Sequence, residues 1–244
     1  MKVYAWGWTP NPDKIDEWRD KIPGLGVIHY PATFHKARKG DICFINSEHS
    51  AKRAIQYADV WSLAILGDER NVTGPSGEHE SPKDYMDRLR PARNILREAS
   101  VPVANAGLAM AGGHFDHDYQ QELLHFTGVS NQNFRCYRYP RVVRGMQWYK
   151  SRKWFLTMIP LRINWWPLKY NTFFAWFRQA FLTPLSPEEQ LKALRKRTDV
   201  VGVGIWCLRE GKLGDGYWQG WHGLIDRNDR LTWQGEMVKR VLNE

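Results

Sequence analysis

The feature of this sequence that most constrains its fold is a regular alternation of eight apolar, strand-like runs with stretches of helical pattern. Strands separated by helices run parallel, because a parallel pair needs a long crossover connection, and eight such units favour closure into a barrel. We therefore predict an α/β fold, a single (β/α)8 TIM barrel over residues 1–244. An open doubly wound sheet is the alternative, but no glycine-rich phosphate turn follows the first run. The strand-like runs are residues 2–8, 26–30, 41–46, 61–66, 101–107, 134–139, 153–160 and 200–208.

Capping residues mark the starts of two of the predicted helices. Ser81 precedes Pro82 at the start of a helix over 82–99, and Ser186 precedes a proline and two glutamates in a helix that reaches residue 197. The segment 164–185 interrupts the alternation with eight aromatic residues, so we expect an insertion beside the barrel mouth or at a contact with a protein partner or a second copy. The other predicted helices are residues 12–21, 34–38, 50–57, 119–126, 142–150 and 232–242.

The composition excludes some classes of protein. No run reaches the roughly 18 apolar residues of a membrane-spanning helix, and the amino terminus lacks the pattern of a signal peptide. The three cysteines, Cys43, Cys136 and Cys207, form no CxxC pair, which favours buried thiols in a reducing compartment. We expect a cytoplasmic protein, or one exported without a classical signal peptide. We expect no cofactor and no metal, and we interpret the acids near His114 and His117 as helix caps.

The charge and the tryptophan content point to the class of ligand. A net charge of +9 attracts any polyanion, so an anionic polysaccharide is one candidate partner. Nucleic acid is disfavoured, because the basic residues are scattered and no recognition motif is present. The 13 tryptophans offer flat surfaces suited to stacking on sugar rings.

The residues that end the strand-like runs should meet in one cleft, since the active site of such a barrel forms at the carboxyl ends of its strands. The run that begins at Trp61 is the most informative, because it stops at two acids, Asp68 and Glu69. Carboxylates, amides and aromatic rings facing one cleft are the groups that glycoside hydrolysis uses. The other candidates are Trp6, Trp8, His29, Tyr30, Asn46, Glu48, Asn105, Tyr137, Tyr139, Arg162, Trp206, Arg209 and Glu210.

Two stretches carry a resemblance to a known family. The first is Leu66-Gly-Asp-Glu-Arg-Asn71, followed by Ser81-Pro-Lys-Asp-Tyr85, and the second is Val203-Gly-Ile-Trp-Cys-Leu-Arg-Glu-Gly211 with the turn after Trp221. They resemble the fourth-strand and eighth-strand regions of the clan A glycoside hydrolases. The resemblance implies a TIM barrel that acts on a polysaccharide or glycoconjugate, with Glu69 as the general acid/base and Trp206 stacking on a sugar.

The sequence departs from that family at two positions. Asp68 stands where the family has an asparagine that helps to hold the sugar, and Met158 stands where the seventh strand carries the nucleophilic glutamate. Retaining hydrolysis needs two carboxyl groups about 5–5.5 Å apart, and inverting hydrolysis about 6.5–9.5 Å. Glu210 is the best candidate for the second carboxylate. Two alternatives therefore stay open, an active hydrolase and a catalytically inactive carbohydrate-binding or protein-assembly relative.

Each proposed acid also has a simpler interpretation. Glu69 could pair with Arg70 at the barrel rim, and Glu210 could pair with Arg209 or Lys212. If Glu69 instead lies among aromatic rings beside Asp68, desolvation and like charge should raise its pKa, which is the condition that a general acid needs.

Overall fold

The fold was analysed in a computed structural model that describes most of the amino-terminal half and the carboxyl-terminal segments of the chain. For 131–136 and 153–158 it describes the backbone alone. The described residues are 1–7, 9, 11–67, 80–105, 119, 122, 123, 131–136, 153–158, 186–198, 200–205, 207–209 and 223–244.

Eight β-strands pair with one another in chain order, and every pair is parallel. The eighth strand also pairs with the first, so the sheet closes on itself. The predicted α/β fold with a parallel sheet is confirmed. The strands are β1 (Lys2–Trp6), β2 (Gly26–His29), β3 (Asp41–Ile45), β4 (Trp61–Leu66), β5 (Val103–Ala104), β6 (Asn131–Cys136), β7 (Lys153–Met158) and β8 (Val200–Ile205).

Side-chain caps begin four of the described helices, and one of the caps is Ser47, which forms a capping box with Ser50 at the start of the helix Glu48–Ala54. Ser81 and Thr232 each accept a hydrogen bond from a backbone amide of the first turn, and Ser186 forms a reciprocal capping box with Glu189. The helices are α1 (Ile15–Asp20), α2 (Glu48–Ala54), α3 (Pro82–Glu98), α4 (Pro187–Arg195) and α5 (Trp233–Asn243), and the 3₁₀ helices are Pro12–Lys14, Pro31–Lys36 and Ile55–Tyr57.

Three of the predicted connections differ from the structure, and one of them is the helix expected over 50–57, which is divided into α2 and the 3₁₀ helix Ile55–Tyr57. The short helix expected over 34–38 is a 3₁₀ helix, Pro31–Lys36, which starts at a proline and ends within six residues. The helix expected over 12–21 is divided into the 3₁₀ helix Pro12–Lys14 and α1. The complete eightfold alternation of strand and helix stays a prediction, because most of 106–130, all of 137–152 and the insertion at 164–185 lie outside the described residues.

The side chains of the sheet pack in an inner and an outer layer. Alternate residues of β1 to β4 form one buried cluster on the inner face, which includes Tyr4, Trp6, Ile28, Ile42, Phe44, Leu63 and Ile65. The residues between them face the helices, and they join one cluster with α1, α4 and α5 and another with α2 and α3. Both faces of the strands are therefore covered, which explains why the strands read as continuous apolar runs.

Buried thiols occur where the sequence predicts them. Cys43 in β3 and Cys207 after β8 are both buried, and burial raises the pKa of the Cys43 thiol well above its ordinary value. In the part of the chain that the structure describes, none of the helices has the length and apolarity needed to cross a bilayer.

Candidate functional site

Three aromatic rings meet at the carboxyl ends of the first three strands. The ring centroid of Trp6, the last residue of β1, lies 6.0 Å from that of Tyr30, which directly follows β2. Phe44 in β3 completes the group, with centroid distances of 5.8 Å to Trp6 and 5.0 Å to Tyr30. All three pairs are tilted or edge-to-face, which is a favourable arrangement for aromatic rings. We call Trp6, Tyr30 and Phe44 the aromatic group.

The members of the aromatic group differ in burial. Trp6 is 0% exposed and Phe44 is 9% exposed, whereas Tyr30 is half-buried against them. Tyr30 is therefore the most exposed ring of this group, and Trp6 packs against it from within the inner core. Sequence analysis missed Phe44, because it precedes the end of its strand. Ile42 and Phe44 occupy alternate, inward-facing positions of β3, and only the structure shows this direction because both faces of the strand are buried.

Polar residues follow β3 and β5 at the same edge of the sheet. Asn46 is exposed after β3, and Asn105 is fully buried after β5. After β4, the amide of Gly67 donates to the carbonyl of Ile45 at 2.7 Å, which extends the β3–β4 ladder by one residue. Gly67 has a φ of 73°, a left-handed conformation that glycine adopts at little cost. The chain thus leaves β4 next to Asn46, and Asp68 and Glu69 come directly after this turn in the sequence.

The end of β8 lies beside the end of β1. The amide of Leu208 donates to the carbonyl of Trp6 at 2.9 Å, and the amide of Leu224 donates to the carbonyl of Cys207 at the same distance. On the other side, Met158 is the last residue of β7 and pairs in register with Ile205, the last residue of β8. The backbone therefore brings the ends of strands one, seven and eight together, as the predicted site requires.

Several predicted site residues lie outside the described residues. Their roles stay predictions, and so does the helix-cap interpretation of 114–118. Among the residues that the structure does describe, no three histidine, cysteine, aspartate or glutamate side chains are grouped so as to hold a metal ion. The predicted site residues outside the described part are Trp8, Asp68, Glu69, Tyr137, Tyr139, Arg162, Trp206 and Glu210.

The His29 side chain does not face the cleft, so its prediction is wrong, and Glu48 forms an ion pair within its own helix. The His29 side chain is fully buried on the outer face of β2, where Nε2 lies 3.1 Å from Oδ2 of Asp41 and Nδ1 lies 3.1 Å from the hydroxyl oxygen of Thr33. Glu48 begins α2 and pairs with Lys52 of the same helix at 2.6 Å. Both side chains serve local structure.

Arg209 is directed away from the site, towards α1. Its guanidinium carbon lies 4.9 Å from the ring centroid of Trp18, and its Nε donates to Asp229 at 3.3 Å. Asp229 also accepts hydrogen bonds from Lys14 at 2.5 Å and from the Trp18 indole at 2.9 Å. The bond from Lys14 is the largest influence that holds the pKa of Asp229 below its ordinary value. Arg209 thus has an anionic partner other than Glu210.

Comparison with known proteins shows a likeness in structure alone. No family model matches the sequence, and no curated protein matches it. A GH128 (subgroup I) endo-β-1,3-glucanase from Amycolatopsis mediterranei, in complex with laminaripentaose, superposes with a TM-score of 0.63 at 12% identity, over 98% of this chain and 99% of that chain. The chain shares the fold of that GH128 enzyme.

Two further GH128 structures extend the likeness. A subgroup II endo-β-1,3-glucanase from Sorangium cellulosum has a TM-score of 0.63 at 11% identity, over 99% of this chain and 98% of that chain. A subgroup VII oligosaccharide-binding protein from Cryptococcus neoformans has a TM-score of 0.61 at 8% identity, over 100% of this chain and 94% of that chain. The GH128 fold therefore occurs both in proteins described as glucanases and in proteins described as oligosaccharide-binding.

Proposed function

We propose that this chain is a glycoside hydrolase-like protein that binds a carbohydrate across the carboxyl ends of its strands, in a complete (β/α)8 barrel. The observation that carries the proposal is the aromatic group at those ends, in a chain whose fold is similar over its whole length to that of a glucanase in complex with laminaripentaose. A half-buried tyrosine packed against two buried rings would present part of its flat apolar face, which suits the face of a sugar ring.

Hydrolysis in this proposal depends on Glu69. Because β4 ends at Leu66, Glu69 follows the strand end by three residues in the sequence, which would bring it within reach of the cleft. Glu69 would protonate the leaving oxygen of the glycosidic bond, and Glu210 would act as the second carboxylate. The separation of the two carboxyl groups would then decide between a covalent intermediate and direct attack by water.

Binding without turnover is the second candidate function. Met158 ends β7 beside the end of β8, at the position where the resembled family carries its nucleophilic glutamate. A thioether cannot attack an anomeric carbon as a carboxylate does. The similarity in fold to an oligosaccharide-binding GH128 protein supports this candidate as much as the similarity to the glucanases supports the hydrolase.

The test combines calorimetric titration with laminaripentaose and an assay for newly formed reducing ends. Tyr30→Leu should weaken binding by about two- to tenfold, because it removes a stacking contribution of about 0.5–1.5 kcal/mol. The matched control is Tyr57→Leu, since Tyr57 is also half-buried but packs on the outer core under α2 and α3. Glu69→Gln should lower turnover by roughly 10²–10⁴ and leave affinity nearly unchanged.

The outcomes separate the two candidates. Turnover that depends on Glu69 supports the hydrolase, and binding with no reducing ends formed by the wild type supports the binding protein. Equal effects of Tyr30→Leu and Tyr57→Leu would remove the aromatic group from the site. A wild-type protein that neither binds nor cleaves oligosaccharides from a panel of β-linked glucans would refute the proposal as a whole.

A further inference from the structure

The first turns of α3 contact the ends of two neighbouring strands. The hydroxyl of Tyr85 donates to the carbonyl of Leu66, the last residue of β4. One turn later, Nη1 of Arg88 donates to the carbonyl of Asn46, which follows β3, at 3.1 Å. The Arg88 guanidinium carbon lies 6.0 Å from the centroid of the Tyr85 ring, so the two side chains are neighbours on one face of the helix. A single helix face therefore holds both strand ends.

Arg88 also holds the residue that leads into α3. Its Nε and Nη2 donate to the two carboxylate oxygens of Glu80 at 2.7 Å and 2.9 Å, which is a bidentate ion pair. The Glu80 side chain is 18% exposed, and its carbonyl accepts a hydrogen bond from the hydroxyl of Tyr119 at 2.8 Å. Glu80 is thus fixed through both its side chain and its backbone.

These contacts fix the two ends of the connection from β4 to α3. At one end, Leu66 is held by Tyr85, and Gly67 is held by the carbonyl of Ile45 at 2.7 Å. At the other end, Glu80 is held by Arg88. Asp68 and Glu69 lie between these ends in the sequence, immediately after Gly67.

A second ion pair on α3 is exposed on the surface and provides a comparison for Arg88. Lys83 and Asp87 lie 2.6 Å apart, but their side chains are 65% and 43% exposed and both belong to α3. Such a pair fixes nothing outside its helix and contributes little. Arg88 instead joins its helix to residues 8 and 42 positions earlier in the chain.

We propose that Arg88 is a positioning residue that, through Glu80, Asn46 and its neighbour Tyr85, sets where the β4–α3 connection places Glu69 relative to the end of β3. The expected effect of Arg88 on turnover rests on the proposed function. Its expected effect on the order of the β4–α3 connection does not. Arginine is required because three of its nitrogens are used in a fixed planar geometry, which lysine cannot reproduce.

The first experiment measures hydrogen–deuterium exchange of the whole protein, in peptides covering residues 44–48 and 66–81. Arg88→Met should raise the opening of both segments by about 10- to 100-fold, because several charge-assisted hydrogen bonds are lost together. Exchange in α5 should stay unchanged, which excludes global destabilisation. Lys83→Met is the matched control and should have no effect on either segment, and Arg88→Lys should give an intermediate effect. Equal exchange in Arg88→Met and Lys83→Met over 66–81 would overturn the proposal.

The second experiment separates kcat from KM on the glucan that the wild type cleaves. Arg88→Met should lower kcat by about tenfold or more with KM within about twofold, because a misplaced acid impairs proton transfer more than binding. The pH dependence of kcat/KM should shift with it, which loss of stability alone would not cause. If Glu69→Gln inactivates the enzyme but Arg88→Met leaves kcat unchanged, the positioning role of Arg88 is overturned. If the wild type cleaves no glucan, the hydrolase function fails, and exchange alone decides whether Arg88 holds the connection.

Discussion

Asp41 carries the most heavily bonded charge among the residues that the structure describes. One carboxylate oxygen accepts from Arg19 at 2.6 Å and from the amide of Arg38 at 2.8 Å and lies 3.1 Å from His29, while the other accepts from the amide of Val27 at 3.0 Å. The Asp41 and Arg19 side chains are each only 4% exposed. Burial alone would raise the pKa of Asp41, but the hydrogen bonds from His29 and the two amides, with the charge of Arg19, outweigh it and hold the pKa below its ordinary value.

Asp41→Asn should therefore be strongly destabilising. Breaking this buried pair leaves the Arg19 guanidinium with only the more exposed Asp16 as an anionic partner, so we expect a loss of about 3 kcal/mol in the free energy of unfolding at pH 7, measured by urea denaturation. The control is Asp20→Asn, because Asp20 pairs with Arg38 at 2.5 Å with side chains 59% and 49% exposed. That exposed pair should contribute about 0–1 kcal/mol.

The same variant tests the pH dependence of stability. Because the pKa of Asp41 is lower in the folded than in the unfolded protein, its contribution is fully present above the unfolded value of about 3.9 and is lost as pH falls through the folded value. The difference in unfolding free energy between the wild type and Asp41→Asn should thus be constant from neutral pH down to about pH 5 and shrink below about pH 4. A difference that grows on acidification would contradict this assignment.

Among the structural elements, helix α3 ends in a Schellman motif without glycine. The amide of Val101 donates to the carbonyl of Leu96 at 2.9 Å, and the amide of Ser100 donates to that of Arg97 at 3.0 Å. Val101 and Leu96 pack in the same buried cluster, which completes the motif. Ser100 occupies the left-handed position with a φ of 58°, where an ordinary residue is strained and glycine is not.

Ser100→Gly should stabilise the protein by about 0.5–1 kcal/mol, since relief of the left-handed strain exceeds the added flexibility of the unfolded chain. The measurement is the urea midpoint with an unchanged slope. Ser100→Ala is the control, and it should stay within about 0.5 kcal/mol of the wild type because alanine keeps the same backbone strain. Destabilisation by glycine would show that the Ser100 side chain stabilises the helix end.

At the scale of the whole molecule, charge and site chemistry point to different ligands. The net charge of +9 would attract an anionic polysaccharide over distances near the Debye length, about 10 Å at 0.1 M salt and 3 Å at 1 M. The aromatic group, by contrast, recognises a sugar by contact, and contact is not screened by salt. The dependence of affinity on ionic strength therefore distinguishes the two.

We expect the Kd for laminaripentaose to change by less than about twofold between 0.1 M and 1 M sodium chloride, because the ligand is neutral. A sulfated form of the same glucan is the control, and its affinity should fall steeply over this range. Calorimetric titration measures both. Binding of the sulfated glucan alone would favour the anionic polysaccharide as the ligand of this protein.

Helix starts and the order of the strands could be predicted because their causes are local. Ser81, Ser186 and Thr232 each cap a backbone amide three residues away, so the signal lies within one turn. The short helix expected over 34–38 is a 3₁₀ helix over Pro31–Lys36, and its type could not be predicted because a segment this short has little periodicity to separate a 3₁₀ helix from an α-helix. For the site, the positions of Tyr30 and Asn46 at strand ends could be predicted from the sequence. Their contacts with Phe44 and Arg88 could not.

The sequence by itself determined the α/β class, the parallel order of the strands and the burial of Cys43, since apolar periodicity and capping depend on residues close in the chain. Only the tertiary structure decided that His29 faces outwards to Asp41 while Phe44 faces inwards to Tyr30. Both faces of these strands are buried, so the residues show no polar alternation from which a direction could be read. The contact of Arg88 with Asn46 likewise joins residues 42 positions apart, and it exists because strand pairing and helix packing bring them together.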